Sequence, residues 1–338
     1  MRITILGAGD MGTALATPTA ANGHDVRLWG TAYDGAIVAA LRAGEPHPRL
    51  GSPLPPAVRV FAHAALDAAL DGAELVVLGV TSPAIAPVLD EIGDRLRGAA
   101  AILSVAKGFD EPDGGTIRPL TDLIAERVPA PVVGIGGPSK ANEVAAGQPT
   151  AVIFASPDVA TLRTCHDAFE TPVYRVATTP DLIGVEVAAA MKNAYAIALG
   201  IADGLQLATG LPHNNLRAAL FPLAVREMSR LAEALGGWAG TVAGLAGAGD
   251  LQVTITAGRN RILGERIGTG IPAAEAVRSL ASADTTIEGY AAALAGHRLA
   301  RSLAGKGGVG AGYPLLHALH AILVERAPVS ETLWAAVG

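Results

Sequence analysis

With 338 residues, 50% of them hydrophobic and 17% charged, the chain is long enough for two domains of about 100–200 residues each and can bury a substantial core. A formal charge of −6 excludes general nucleic-acid binding, which needs a basic surface. The single cysteine, Cys165, excludes an internal disulfide and fits a reducing compartment. From the N-terminus, Arg2–Leu6 reads as a short apolar strand. Gly7-Ala8-Gly9-Asp10-Met11-Gly12 follows, and Thr13-Ala14-Leu15-Ala16 continues into a helix. Strand, Gly-x-Gly-x-x-Gly and helix, in that order, is the context of a dinucleotide fingerprint. Gly7 allows the tight turn, Gly9 lets backbone approach a pyrophosphate, and Gly12 lets helix and strand pack closely. Asp10 and Met11 lie at the helix start, whose N–H groups would face the phosphates. Because the strand begins at once, no signal or transit sequence is expected, and the expected location is cytoplasmic.

The second strand, His24–Trp29, ends in Gly30-Thr31. An NAD enzyme often carries an acid there for the ribose hydroxyls. Thr31 leaves room for a 2′-phosphate, and the first carboxylate is Asp34. The cofactor reading is therefore NAD or NADP, inclined to NADP. Residues 44–57 are rich in Pro and Gly and read as a surface loop. Strands at Glu74–Gly79, Ala100–Ser104, Pro131–Ile135, Ala151–Ala155 and Val173–Val176 alternate with helices at Pro83–Leu96, Thr116–Arg127 and Asp158–Phe169. The last of these helices reads as a surface helix carrying Cys165 beside His166. The alternation predicts an α/β fold with a Rossmann-type, doubly wound, mostly parallel sheet. Ligands of such sheets bind beyond the carboxyl ends of the strands. Two polar stretches lie at strand ends. Ser104–Gly108 contains Lys107, and Gly136–Glu143 contains Gly137, Ser139, Lys140 and Ala141. Lys107 there suits an anion or carbonyl contact as well as open solvent.

After Thr178 no further strand is predicted. The domain reading is thus residues 1–180 for the dinucleotide and 181–338 for an all-helical substrate and catalytic domain. Between Glu186 and Asp203, the stretch Asp181–Leu205 carries one charge, Lys192, followed by Asn193. A helix apolar all round belongs in a core or a membrane. A span needs about 20 apolar residues and Lys-Asn interrupts this run, so a core helix and no membrane span are predicted. Burying an ammonium is costly unless it is paired, and desolvation lowers its pKa. Lys192 therefore wants a carboxylate partner or a proton-transfer role, unless its stem carries the charge to the surface. Leu216–Leu235 is amphipathic. Gly244-Leu245-Ala246-Gly247-Ala248-Gly249-Asp250-Leu251 precedes Thr254 and an expected loop, Gly258-Arg259-Asn260-Arg261. Helical patterns resume at 262–267, 273–281, 287–304 and 314–325. Gly305–Gly312 imitates a phosphate loop, but Ala311 and Gly312 stand where Lys and Ser or Thr are needed, and a helix replaces the preceding strand. It reads as an interhelix loop. His317 and His320 share a helix face with no third ligand nearby in sequence, and no metal is expected.

In order and spacing, these motifs resemble the NAD(P)-dependent glycerol-3-phosphate dehydrogenases over nearly the whole chain. The matching pieces are Gly-Ala-Gly-Asp-Met-Gly-Thr-Ala-Leu from Gly7, Ala-Lys-Gly at Lys107, Gly-Pro-Ser-x-Ala from Gly137 and Met-Lys-Asn at Lys192. Gly-Leu-Ala-Gly-x-Gly-Asp-Leu ending at Leu251, Gly-Arg-Asn-Arg from Gly258 and Ile-Glu-Gly at Glu288 complete the set. The resemblance implies reversible hydride transfer between dihydroxyacetone phosphate and sn-glycerol 3-phosphate, the latter for glycerophospholipid synthesis. It implies Lys192 as general acid/base with Asp250 as its partner, and a catalytic role for Lys107 at the substrate and cofactor. Gly137, Ser139, Asn193 and Thr254 would line the substrate, and Arg259 and Asn260 would hold its phosphate. Ala141, Arg259 and Glu288 would reach the cofactor, joining Gly7, Gly9, Asp10, Met11, Gly12 and Thr31. Lys140 stands where the family has an uncharged residue. A homodimer stays open. Two other readings compete. A related two-domain dehydrogenase for another small hydroxy acid or ketone would share the fingerprint and the lysine but not the Asp250–Asn260 arrangement. A non-catalytic dinucleotide sensor would have lost Lys192, Asp250 or Arg259.

Overall fold

The computed structural model describes residues 1–96, 98–112, 117–280, 287–304 and 312–338. All but the last residue of the loop expected at 305–312 lies outside them. The chain forms two compact units, 1–107 with 119–186, and 108–118 with 187–338. The single cut expected near residue 180 differs from this in two ways. The first turn of the long helix belongs to the first unit, and residues 108–118 belong to the second.

The described residues form ten strands: β1 (Arg2–Leu6), β2 (Asp25–Trp29), β3 (Arg59–Phe61), β4 (Leu75–Leu78), β5 (Ala101–Ser104), β6 (Phe109–Asp110), β7 (Arg118–Pro119), β8 (Val132–Gly136), β9 (Thr150–Ala155) and β10 (Tyr174–Thr179). β6 and β7 make a small separate sheet, and the others form one sheet in the order β10-β9-β8-β5-β4-β1-β2-β3. Alternate residues serve its two faces, as strand geometry requires. Ile3, Ile5, Leu75 and Val77 enter one apolar core, while Leu6, Val76 and Leu78 enter the other. Strands buried on both sides read as continuous apolar runs, which is why β1, β4 and β5 were visible in the sequence. Within this eight-stranded sheet neighbouring strands are parallel except for one pair: β8 and β9 run antiparallel, with Ile135 opposite Phe154. From β1 the chain winds outward through β2 and β3, then returns to β4 on the other side of β1. The crevice between β1 and β4 is thus a topological switch point, where such sheets bind ligands.

The helix Val159–Phe169 is the surface helix expected, with Val159, Ala160, Arg163 and Asp167 exposed and the cysteine on its inner face. Cys165 is fully buried, and burial pushes its thiol up to about 12.

The second unit is helical apart from residues of the small sheet. Its axis is the helix Leu182–Thr209, the one described helix long and apolar enough to cross a bilayer, yet 89% of its apolar window is buried within the protein. The helix Arg259–Gly268 lies against it in backbone contact. A methyl group on Gly200 would meet the Arg261 carbonyl oxygen at 2.2 Å, and one on Gly204 the Glu265 oxygen at 2.1 Å. From the other side, a methyl on Gly264 would meet the Ile197 oxygen at 2.0 Å, and one on Gly268 the Ile201 oxygen at 2.3 Å. Four small residues, spaced one turn apart on each helix, let the axes approach this closely. The expected loop at 258–261 is absent: Gly258 alone separates the helix Asp250–Ala257 from the helix that Arg259 opens.

Candidate active site

In the first unit the glycine turn sits at the switch point. Gly7 has φ +110°, and a side chain there would strike the Gly79 carbonyl at 2.8 Å. A methyl on Gly12 would meet the Gly7 oxygen at 2.2 Å. The protein's own packing thus demands both glycines. Gly9 differs, since its nearest obstacle is the Gly79 oxygen at 3.9 Å. Its bareness serves close approach from outside, which is what a pyrophosphate needs. Gly9 caps the helix Asp10–Ala21 without any side-chain hydrogen bond, so the first N–H groups suit an anion. The residues present therefore fit a dinucleotide.

Three residues around this turn, Asp34, His47 and Arg49, make contacts that escaped the sequence reading. The Asp34 carboxylate folds back to accept from Thr31 N and Thr31 Oγ1, both at 2.8 Å, and from Ala8 N at 3.2 Å. An acid is thus present in space at the end of β2, although the sequence places none there. Fully buried His47 accepts at Nδ1 from Arg49 N (3.2 Å), which leaves Nε2 to donate to the Ala8 oxygen at 3.1 Å. Arg49 in turn pairs with Asp10 at 2.6 Å. The loop 44–57 is therefore tied to the glycine turn.

Beyond β5 stands Lys107, whose carbonyl oxygen accepts from Ser82 Oγ at 2.9 Å. Its charge acts on Glu186, a carboxyl that burial pushes up to about 8 against the opposing pull of the Thr121 N–H and of Lys107. Gly134 makes room for that carboxyl, since a methyl there would meet Glu186 Oε1 at 2.7 Å. Beyond β8, Gly137 adopts φ +109° beside Val152. Ser139 follows it, Lys140 caps the short helix Ala141–Ala145, and Lys140 pairs with Glu143 at 3.6 Å.

The second unit brings together residues far apart in sequence. Lys192, 5% exposed, is in the middle of the long helix. Its ammonium donates to the carboxylate of buried Asp250 and to Thr254 Oγ1 at 3.0 Å. Thr254 Oγ1 itself donates to the Asp250 carbonyl oxygen at 2.6 Å. Asp250 and Thr254 are one turn apart on one helix, so a single element supplies both acceptors. The alternative, a lysine carrying its charge to the surface, is excluded by this burial. A buried ion pair holds only with such extra hydrogen bonds. Asn193, the next residue, donates from Nδ2 to Glu288 Oε2 at 3.0 Å. Asn260 Oδ1 accepts from Gly289 N at 3.0 Å. Arg259 is exposed at the start of its helix. Arg261 is engaged elsewhere, with Asp203 at 3.1 Å and Glu265 at 2.6 Å. That pairing makes Arg261 a structural cation.

A Rossmann unit with an open glycine turn, and a helical unit that buries a lysine–carboxylate pair, define a nicotinamide-dependent oxidoreductase. The models for the N- and C-terminal parts of NAD-dependent glycerol-3-phosphate dehydrogenase match residues 2–162 and 181–333. An NADP(+)-dependent glycerol-3-phosphate dehydrogenase of Archaeoglobus fulgidus is 35% identical over 99% of this chain and 98% of its own. A glycerol-3-phosphate dehydrogenase [NAD(P)+] of Geobacillus kaustophilus is 39% identical over 95% of this chain and 90% of its own. The crystal structure of glycerol-3-phosphate dehydrogenase from Coxiella burnetii superposes with a TM-score of 0.82 at 33% identity, covering 99% of this chain and 98% of that one. The chain belongs to the NAD-dependent glycerol-3-phosphate dehydrogenase family, oxidoreductases that act on a CH–OH group with NAD or NADP.

Proposed function

We propose that the chain interconverts dihydroxyacetone phosphate and sn-glycerol 3-phosphate, with Lys192 as the proton-transfer group. The observation that carries this reading is the buried Lys192–Asp250–Thr254 constellation, one residue from Asn193 and in the same unit as Arg259 and Asn260. The bound nicotinamide would supply or accept the hydride. As a ketone is reduced, its oxygen gains charge and needs a proton, which a positioned ammonium can deliver. Asp250 holds that ammonium in place and offsets its burial, and Thr254 fixes its direction. The substrate phosphate would meet the Arg259 guanidinium, the Asn260 amide and the N-terminus of the helix Arg259–Gly268. Charge-assisted bonds to phosphate are the strong kind, and helix N-termini favour anions. Gly7, Gly9, Asp10, Met11, Gly12, Thr31 and Ala141 would hold the dinucleotide. Lys107, Gly137 and Ser139 take their substrate roles, and Glu288 its cofactor role, from the family resemblance. We assign the cytoplasm as the compartment, on the single buried cysteine, and glycerophospholipid synthesis as the use of the product.

The test follows nicotinamide absorbance with dihydroxyacetone phosphate and either NADH or NADPH. Arg259→Ala should raise KM for dihydroxyacetone phosphate steeply and lower kcat, because binding energy at the remote phosphate also orients the carbonyl. The loss on dihydroxyacetone, which has no phosphate, should be far smaller. Equal losses on both substrates would remove Arg259 from the phosphate.

A further inference from the structure

Two asparagines of the second unit, Asn193 and Asn260, are 5% and 8% exposed, and both are held by the first turn of the helix Glu288–Ala304. An asparagine amide has an acceptor end and a donor end. Which end faces a ligand depends on what holds the other. Asn193 Nδ2 donates to Glu288 Oε2 at 3.0 Å. A carboxylate only accepts, so Asn193 must turn its nitrogen toward Glu288, and its oxygen is the opposite end. Asn260 is held the other way round: its Oδ1 accepts from Gly289 N at 3.0 Å. A main-chain N–H only donates, so the amino group of Asn260 is the outer end. Flipping either amide would set like against like in a buried place, at the full cost of unmatched polar groups. Residue 289 has to be glycine for this. A methyl there would meet the Asn193 carbonyl oxygen at 2.3 Å and Asn260 Oδ1 at 2.7 Å.

We propose that Glu288 and the Gly289 N–H are positioning groups that set opposite amide polarities. Asn193 presents a hydrogen-bond acceptor to the substrate, and Asn260 presents donors. This rests on the proposed function, and it matches the two ends of that substrate. The phosphate only accepts, and it falls to Asn260 beside Arg259. The free hydroxyl on the carbon next to the carbonyl can donate, and it falls to Asn193 beside Lys192. Glu288 thereby acts as a specificity residue for the hydroxyl, through Asn193. A site built to bond a hydroxyl rejects analogues that lack one, because its own polar group is then left unmatched.

The test uses three ketones: dihydroxyacetone phosphate, hydroxyacetone phosphate (which lacks the free hydroxyl) and dihydroxyacetone (which lacks the phosphate). The wild-type enzyme should favour the first over the second by at least about tenfold in kcat/KM, each buried unmatched group costing about 1–3 kcal/mol. Glu288→Gln offers both a donor and an acceptor, so Asn193 is no longer held one way. It should lower kcat/KM for the two hydroxyl-bearing ketones well beyond any loss on hydroxyacetone phosphate, which registers only what Glu288 does for the cofactor. The three ketones are compared at saturating NADH, so that a weaker cofactor contact through Glu288 does not enter the ratio. Asn193→Asp sets two carboxylates face to face and should lose activity. Adding Glu288→Gln to it restores a donor–acceptor pair with the acceptor still outward and should recover much of the loss. The proposal fails if Glu288→Gln costs all three ketones equally, or if the double variant is no better than Asn193→Asp. Should Glu288→Gln not fold, the wild type alone decides, since equal turnover of the two phosphate esters overturns the proposal. Wild-type enzyme inactive on every ketone would instead bring down the functional reading, and this inference with it.

Discussion

Lys192 is the residue where sequence and structure meet most directly. A lone cation in an apolar helix had to find a carboxylate, a job or a way out, and it found Asp250 and Thr254. The need was legible from local pattern alone. The partners were not, because nothing in periodicity links residue 192 to residues 250 and 254; only the family resemblance did. Asp34 shows the reverse failure. A carboxylate five residues past the strand looked misplaced along the chain, yet its side chain returns to Thr31 and Ala8. His47 and Arg49 sat in a Pro- and Gly-rich stretch whose composition predicts only a loop. Their contacts to Ala8 and Asp10 are tertiary and left no local mark. Lys192→Met keeps the bulk of the stem and removes the proton. We expect kcat to fall by about 10² to 10⁴, the range for a positioned acid/base group, with NADH affinity nearly intact and one limb of the pH–rate profile lost. Near-normal turnover would reduce Lys192 to a structural cation.

At the scale of elements, the chain declared what has short-range grammar. Strand, glycine turn and helix at the N-terminus follow from spacing within a dozen residues. The reversal at β9 did not, because strand direction is not written in βα alternation. The connection from Gly136 to Thr150 contains only the five-residue helix Ala141–Ala145, about 7 Å long at 1.5 Å per residue, well short of the usual crossover helix of a parallel connection. The glycines Gly200, Gly204, Gly264 and Gly268 were visible as letters but not as an interface, since each pair means something only against the other. That interface fixes the helix whose first turn carries Arg259 and Asn260. Gly200→Ala would drive a methyl into the Arg261 carbonyl, and neither backbone can yield without moving its helix. We expect a loss of about 1–3 kcal/mol, the usual cost of overpacking, seen as a lower melting temperature. KM for dihydroxyacetone phosphate should rise. An unchanged KM would separate the glycine contact from the placement of the phosphate residues.

For the molecule as a whole, the ionisable groups that folding perturbs predict how stability varies with pH. Burial raises Glu186 in the first unit to about 8. In the second, burial raises Glu227 to about 7, although Leu315 N, Leu316 N and the Tyr195 hydroxyl all bond to it. His297 goes the other way. It stacks on His320 at 3.8 Å and meets His317 edge-on at 4.9 Å, a third imidazole that the sequence did not bring to that face. Burial and these neighbours lower it to about 4. Stability rises with pH wherever the unfolded chain binds more protons, and falls where the folded chain does. The two carboxyls hold protons in the folded state that the unfolded chain has released above the ordinary glutamate value of 4.5. Their contribution is complete below 4.5 and is lost as pH rises through about 7 and about 8. The His297 contribution is complete above the ordinary histidine value of 6.5 and is lost as pH falls through about 4. Between 4.5 and 6.5 the two trends oppose each other. Of these three groups only the two carboxyls still change above 6.5, so the melting temperature should fall between pH 6.5 and 8. Glu186→Gln keeps the shape and cannot ionise, and it should flatten that fall, most clearly above pH 7, where Glu227 has already titrated. Melting curves by circular dichroism at half-unit steps decide it. A wild-type curve that is flat or rising over this range, or an unchanged slope in the variant, would mean that Glu186 is not protonated in the folded protein at neutral pH.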